Sequence, residues 1–263
     1  MIITRTPLRI SIGGGGTDLP SYYQRFGGFV ISAAIDKYIY ITANRAFRPG
    51  YFLKYSKLEH VLSVDEIKHD IIREACRMME IAPNMEIVSV ADVPAGTGLG
   101  SSGSFTVGLL NALHAWRRHP IGVEALARQA NALEMEVLGE PCGKQDHYIA
   151  AYGGIICQTY HSDGAVDIQP LAVDDRTLIE LGEHLMLFFT GYNRDAAKLL
   201  EDQKSRSEAG DAAMIENLDA TKELGLRIKE RLEAGDLPGF AQLMHEHWQG
   251  KRRRSKDMTN DNI

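Results

Sequence analysis

Three segments of the 263-residue chain combine residue types that can do chemistry. The first is PAGTGLGSSGS, Pro94 to Ser104, between a strand-like MEIVSVADV (Met85–Val93) and an apolar run, Phe105–Trp116. Glycines there let backbone N–H groups approach a ligand closely. The helix expected after them adds free N–H groups and a positive dipole end. Together these make an anion site, most naturally for phosphates. Ser101, Ser102 and Ser104 add hydroxyls, one of which could meet a magnesium ion. The spacing is neither GxxxxGK[ST] nor GxGxxG, so neither an ordinary P-loop nor a dinucleotide fingerprint is present. The plainer alternative is a flexible Gly/Ser loop.

The second segment is GGGGTD, Gly13 to Asp18. It allows close approach, and Asp18 could accept hydrogen bonds from a polyol. Thr17-Asp18 could equally cap a helix over Leu19–Arg25. The third is LEMEVLGEPCGKQDHYIAAYGG, Leu133 to Gly154. Phosphoryl transfer needs a metal ligand and a group that orients or deprotonates the acceptor hydroxyl. Glu134 and Asp146 fit those needs. Spacing does not bring them together, and a surface Glu with a helix-start Asp fits the same letters.

These segments need elements to position them. Ile2–Ile12 reads as a strand leading into the first glycine cluster. Gly27–Phe47 is β-branched and aromatic, with Asp36-Lys37 as the expected turn between two strands. Ser63–Glu80 has helical spacing of Ile67, Ile71, Ile72, Ala75, Met78 and Met79, with Ser63 or Asp65 as cap. Met85–Val93 reads as a strand and Phe105–Trp116 as a buried helix. Val123–Leu138 is a further helix, stopped by Gly139 and Pro141. Pro141–Gly154 is a turn plus a short helix. Strands are expected near Gly154–His161, Val166–Leu171 and His184–Phe189. Helices are expected over Asp195–Glu208, Asp211–Glu233 and Leu237–Lys251. A composition shift near Ser162–Asp175 suggests a domain boundary, giving domains 1–165 and 166–263. No fixed-period repeat and no low-complexity tract is visible.

Composition sets outer bounds. Net charge is −6 and charged residues are 24%, which excludes a dominant polycationic nucleic-acid surface. Hydrophobic residues at 44% exclude intrinsic disorder. Cys76, Cys142 and Cys157 form no CxxC pair, so reduced thiols are expected rather than a disulfide framework or structural zinc. The N-terminus lacks signal-peptide features. The uncharged stretch Val93–Trp116 is broken by glycines and serines, and its apolar part is too short to span a bilayer. A cytoplasmic protein is expected, partnering a small molecule rather than nucleic acid or membrane. A homo-oligomer remains open.

Taken together, the motifs resemble the GHMP small-molecule kinases. PAGTGLGSS, Pro94 to Ser102, matches that family's second motif, a Pro followed after three residues by GLGSS. PLRISIGGGGTDLPSYY is similar to the first motif of the branch containing D-glycero-D-manno-heptose 7-phosphate kinase and L-fucose kinase. EPCGKQDHYIAAYGG resembles the catalytic turn, and LMLFFTGYNRDAAKLLEDQ is similar to the heptose-kinase branch. The resemblance implies an α+β fold of two domains. The first is a mixed-sheet N-terminal domain. The second is an incomplete ferredoxin-like C-terminal domain, with the site in the cleft between them. It implies ATP and magnesium.

Carried over by position, the resemblance makes Asp146 the catalytic aspartate, assisted by Arg9. Glu134 and Ser102 hold magnesium. Pro94, Gly96, Gly98, Leu99, Gly100, Ser101 and Ser102 line the nucleotide phosphates. Gly15, Gly16, Thr17 and Asp18 contact the sugar, and Thr190 and Arg194 face the substrate. The implied reaction is phosphorylation of the anomeric hydroxyl of a sugar. D-glycero-D-manno-heptose 7-phosphate heads the candidates, with the 1,7-bisphosphate as product for nucleotide-activated heptose and a bacterial surface polysaccharide. An L-fucose or galactose 1-kinase is the alternative.

A 7-phosphate needs a cationic cradle, with Arg5, Lys144, His147, Arg194 and the run Lys251–Lys256 as candidates. A solvated helix end is the competing reading of that run. The family's third glycine motif is missing after Gly250, so the chain looks truncated. That leaves a sheet edge unpaired and makes a non-catalytic nucleotide- or sugar-binding protein the second reading. An assembly role for helices Asp195–Lys251 is a third. Phe47–Ser56 is a candidate part of the adenine pocket.

Overall fold

The computed structural model describes residues 1–191 and 196–254. In chain order the elements are β1 (Ile2–Gly13), α1 (Pro20–Phe26), β2 (Gly28–Arg45), β3 (Tyr51–Lys54), β4 (Leu58–Val61), α2 (Asp70–Met78) and β5 (Met85–Ala91). There follow α3 (Ser101–Trp116), α4 (Val123–Ala132), α5 (Gln145–Tyr152), β6 (Ile155–Tyr160) and β7 (Val166–Pro170). The chain continues as α6 (Asp175–His184), α7 (Ala196–Glu208), α8 (Ala212–Glu233) and α9 (Leu237–Arg254). The fold is mixed α+β.

Two compact units interleave along the chain. One comprises Met1–Arg9, Ala34–Glu140 and Asp146–Gly153; the other comprises Ile10–Ala33, Pro141–Gln145 and the chain from Gly154 onward. A cut at 165/166 falls inside a hairpin, because Tyr160 of β6 pairs with Val166 of β7. The expected division into 1–165 and 166–263 therefore differs from the compact units. Ladder pairing, not composition, decides which segments pack together.

In the first unit β5 lies between the second half of β2 and β3. It runs antiparallel to β2, with Ile41 opposite Ser89, and parallel to β3. β4 completes an antiparallel hairpin with β3. Apolar faces of β1, β2, β3 and β5 bury against α2, α3 and α4, with Leu8, Ile41, Leu53, Ile87, Leu109 and Leu113 in one core. Helix α3 is apolar nearly all round, and its residues from Gly103 to Leu110 are all buried, as such a sequence requires. In the second unit the first half of β2 pairs antiparallel with β6, which pairs with β7. Phe29, Ile31 and Cys157 there meet Ile228, Leu232, Phe240 and Leu243 of α8 and α9.

Four expected elements are corrected. Asp36-Lys37 is no turn: β2 runs unbroken through it, because each half of the strand finds its own ladder partner. The expected helix Ser63–Glu80 is divided. Ser63 and Glu66 form a reciprocal capping box on a 3₁₀ turn, and Ile67 is extended and buried before α2 starts at Asp70. The helix Val123–Leu138 widens after Ala132 into a π turn, Leu133–Val137, with Leu138 N–H donating to the Leu133 carbonyl at 3.0 Å. His184–Phe189 is no strand. Helix α6, capped by Asp174, ends at His184, and Met186 to Phe189 are exposed with no ladder partner among the described residues.

Residues 166–254 supply one strand and four helices among the described residues, so they do not complete a ferredoxin-like sheet. No disulfide joins the three cysteines among the described residues, and Cys76 and Cys157 are buried. Among the described residues no helix is long and apolar enough to cross a membrane.

Candidate active site

In the first unit β1 lies along α3. Thr4 Oγ1 donates to the Gly108 carbonyl at 2.9 Å, and Ser104 Oγ to the Pro7 carbonyl at 2.7 Å. A Cβ on Gly108 would come 2.6 Å from Thr6 Oγ1, so glycine permits this approach. The packing carries Arg9 to the glycine loop. Arg9 N–H donates to the Leu99 carbonyl at 3.0 Å, and Nη1 to the Gly98 carbonyl at 2.7 Å. The rest of the guanidinium grips Asp146, Nε to Oδ1 at 2.7 Å and Nη2 to Oδ2 at 2.8 Å. Such a two-point fork fixes the carboxylate plane. The Asp146 side chain still keeps 25% exposure. Asp146 also sits in the first turn of α5, where the helix dipole favours a carboxylate.

The loop itself is exposed from Pro94 to Gly98 apart from a half-buried Thr97. Gly96, Gly98 and Gly100 all have positive φ, 79°, 77° and 71°. Gly100 occupies the left-handed cap position of α3, and among the described residues no side chain caps that terminus. Its first-turn N–H groups are therefore open to an anion.

Beneath the loop lies Glu134, 2% exposed. Ser102 Oγ donates to Oε2 at 2.7 Å, Thr106 Oγ1 donates to Oε1, and His147 Nε2 stands 3.2 Å from Oε1. The π turn sets Leu133 and Glu134 both inward. Burial pushes the Glu134 carboxyl up. His147 and the two hydroxyls outweigh it and hold the group below the usual glutamate range. The pair of hard oxygens, one carboxylate and one hydroxyl, fits magnesium. The sequence signals for Asp146, Arg9, Glu134 and Ser102 thus mark residues that the fold brings together within one unit. Glu136 plays no part in that cluster.

The second unit contains the other glycine loop, buried from Gly13 to Leu19. Thr17, 0% exposed, directs its hydroxyl to the Gly14 and Phe29 carbonyls, both at 2.9 Å, and accepts from Phe29 N–H at 3.1 Å. Its hydroxyl is thus committed to backbone, which corrects the expectation that it faces a ligand. Asp18, 2% exposed, accepts from Gly16 N–H at 3.2 Å and from Gln145 N–H at 3.1 Å and Nε2 at 3.3 Å. Gly15 and Gly16 carry contacts from α7 and α9: Gln203 Nε2 to the Gly16 carbonyl at 2.7 Å, and Arg254 Nη1 to the Gly15 carbonyl at 3.1 Å. Thr190 is exposed, and Arg194 lies outside the described residues.

The cations proposed for a phosphate cradle are mostly engaged. Arg5 stacks over Tyr38 at 4.6 Å. Lys144 donates to the Gly164 carbonyl at 2.7 Å. His147 is buried beside Glu134, and Arg254 is buried rather than solvated, while Arg252 and Arg253 are exposed.

Sequence reasoning missed three residues. A Cβ on Gly103 would lie 2.8 Å from Asp146 Cβ, so glycine there lets α3 touch α5. A Cβ on Gly143 would overlap Asp18, at 1.9 Å from Oδ2. Gln145 holds both oxygens of Asp18. The glycines themselves were the available signal for the first two; nothing in the letters marks Gln145.

A mixed α+β fold, an open glycine loop at a helix start and an aspartate clamped beside it suit phosphoryl transfer to a hydroxyl group, and with the similarities that follow they mark the chain as an ATP-dependent kinase. Residues 67–154 match the family model described as the GHMP kinases N terminal domain. Over its full length the chain is 29% identical to D-glycero-alpha-D-manno-heptose 7-phosphate kinase of Campylobacter jejuni, covering 80% of that protein. It is 23% identical to the L-fucokinase/L-fucose-1-P guanylyltransferase of Bacteroides fragilis, over 93% of this chain and 30% of that one. Among solved structures, a D-glycero-D-manno-heptose 1-phosphate kinase from Bacteroides thetaiotaomicron superposes with a TM-score of 0.82. The identity is 26%, covering 98% of this chain and 81% of that one.

Proposed function

We propose that the protein transfers the γ-phosphoryl group of ATP to the anomeric hydroxyl of a sugar. The acceptor is D-glycero-D-manno-heptose 7-phosphate and the product the 1,7-bisphosphate, a precursor of nucleotide-activated heptose for a surface polysaccharide. The observation that carries the reading is the Arg9–Asp146 fork, anchored through Arg9 to the carbonyls of Leu99 and Gly98. The full-length similarity to a heptose 7-phosphate kinase supports the choice of acceptor.

Phosphoryl transfer depends mostly on positioning and charge stabilisation. Backbone N–H groups from Ala95 to Gly100, entered through Pro94, and those at the start of α3 surround the phosphates. Glu134 and Ser102 hold magnesium, which neutralises phosphate charge when bound. Asp146 orients the acceptor hydroxyl and takes its proton. The sugar oxygen then bonds to the γ-phosphorus as the bond to the departing ADP oxygen breaks. Arg9 keeps the Asp146 carboxylate in place. Asp18, held by Gln145, and the Gly15–Gly16 backbone form the sugar side, with Thr190 and Arg194 as further substrate contacts. The protein works in the cytoplasm.

ADP release with magnesium and ATP tests this. The acceptors are the heptose 7-phosphate, mannose, L-fucose and galactose. Turnover confined to the heptose 7-phosphate is expected, falling about 10²–10⁴-fold in Asp146→Asn, the usual worth of a positioned general base. Full activity in that variant removes the assignment of Asp146. Turnover with L-fucose or galactose alone replaces the acceptor.

A further inference from the structure

The cationic run at the end of α9 contains one residue that behaves unlike its neighbours. Arg254 is 5% exposed, although Arg252 and Arg253 beside it are exposed. Among the described residues each of its three guanidinium nitrogens finds a neutral acceptor. Nε donates to Asn217 Oδ1 at 2.8 Å, and Nη2 to Thr221 Oγ1 at 2.6 Å. Nη1 donates to the Gly15 carbonyl at 3.1 Å and reaches Gln203 Oε1 at 3.4 Å. Gln203, 3% exposed, uses its other end on the Gly16 carbonyl.

Two successive carbonyls of one glycine loop are thus gripped by two buried side chains from two helices, which also touch each other. Gly16 matches them sterically: a Cβ there would lie 2.6 Å from Arg254 Nη1 and 3.0 Å from Gln203 Oε1. Its φ of 103° also belongs to glycine. Burying a cation among neutral acceptors is costly unless a counter-charge is near. Asp18 at the end of the same loop supplies one. Burial pulls the Arg254 guanidinium down to about 10, with the Asp18 charge working in the opposite direction, so Arg254 stays charged at neutral pH.

We propose that Arg254 and Gln203 are positioning residues that clamp the Gly13–Asp18 loop and thereby set affinity for the sugar acceptor. The consequence for acceptor affinity rests on the reading that this loop contacts the sugar; the clamp itself does not. The arrangement assigns the last turn of α9 a role at the acceptor site that a solvated basic tail lacks.

The test pairs two readouts on the full chain. Hydrogen exchange at the amides of Gly13–Asp18 is compared in wild type, Arg254→Lys and Gln203→Ala. Arg254→Lys keeps the charge and loses the fork; Gln203→Ala leaves Arg254 in place if the arginine variant folds poorly. Exchange at the loop is expected to rise roughly 10–100-fold in Arg254→Lys, the range for losing one buried charge-assisted bond, and roughly 2–10-fold in Gln203→Ala, where the bond lost is neutral, with α3 amides unchanged. Acceptor KM is expected to rise by a similar factor while ATP KM stays within about twofold, a split that general loss of structure does not produce. Unchanged loop exchange in both variants overturns the clamp. Faster exchange with an unchanged acceptor KM overturns its role in affinity. If the wild type turns over no sugar, the kinase reading fails, and the exchange comparison alone decides the clamp.

Discussion

Gly103 of α3 and Asp146 of α5 meet so closely that a methyl group on the glycine would sit 2.8 Å from the aspartate Cβ. The same methyl would lie 3.3 Å from His147 N. The start of α3, which follows the glycine loop, and the start of α5, which carries the proposed base, are therefore in direct contact. Gly103→Ala is expected to destabilise by about 1–3 kcal/mol through overpacking. It is also expected to lower kcat by roughly 10², since an ångström of displacement is enough at a reacting centre. Gly182→Ala serves as control, because its Cβ meets nothing within 4 Å among the described residues of the fold around α6. That substitution is expected to be neutral or to stabilise by about 0.5–1 kcal/mol. Thermal unfolding and steady-state kinetics on the two variants check both statements.

Arg9 cannot be replaced by another cation. Its fork spans both Asp146 oxygens and still reaches the Gly98 carbonyl. A lysine ammonium is a point charge and satisfies fewer of these partners. Arg9→Lys is expected to reduce kcat roughly 10–100-fold, the worth of one charge-assisted hydrogen bond. Recovery of wild-type kcat in the lysine variant would show that charge alone suffices.

Glu134 ties stability to pH. Its folded-state pKa lies below the ordinary glutamate value, since His147, Ser102 and Thr106 outweigh the opposing effect of burial. A depressed carboxylate contributes stability that is fully present above the unfolded value of about 4.3. That contribution is lost as pH falls through the folded value. Urea unfolding midpoints measured from neutral to acid pH should drop more steeply below about pH 4.3 in wild type than in Glu134→Gln. Parallel curves would show that Glu134 does not control the acid limb. In the same variant, half-saturation by magnesium should move to higher concentration.

The thiols should label in a fixed order. Burial pushes Cys76 up to about 12 and Cys157 up to about 11, while Cys142 is half-buried. Only the thiolate reacts. At neutral pH a thiol reagent is expected to modify Cys142 first, with Cys76 and Cys157 silent until denaturant is added. Mass spectrometry of digested, labelled protein reads this directly, and early labelling of Cys157 would contradict the packing of β6 against α8 and α9.

Much of the fold was legible where local pattern and final burial agree. The strand before each glycine cluster, the buried helix α3 and the helices from Ala196 onward follow from apolar spacing and from glycine at the breaks. Patterning failed where a long-range partner overrode it. Asp36-Lys37 has turn chemistry, yet β5 and β6 extend β2 through it. His184–Phe189 has strand chemistry, yet α6 takes His184 and no neighbour among the described residues pairs with the rest.

The residue types at the candidate site were determined by the sequence alone. Pro94–Ser104 carries the loop, and Arg9, Ser102, Glu134 and Asp146 stand as its chemical complement, because glycine density, hydroxyls and carboxylates are chemical facts at any conformation. Only the tertiary structure decided which of them meet. It joined Arg9 to Asp146 across 137 positions and Ser102 to Glu134 across 32. It turned Thr17 inward and drew Arg254 from a charged run onto a loop 239 positions away. Those outcomes depend on buried polar groups finding partners, and such partners are set by three-dimensional packing rather than by neighbours in the chain.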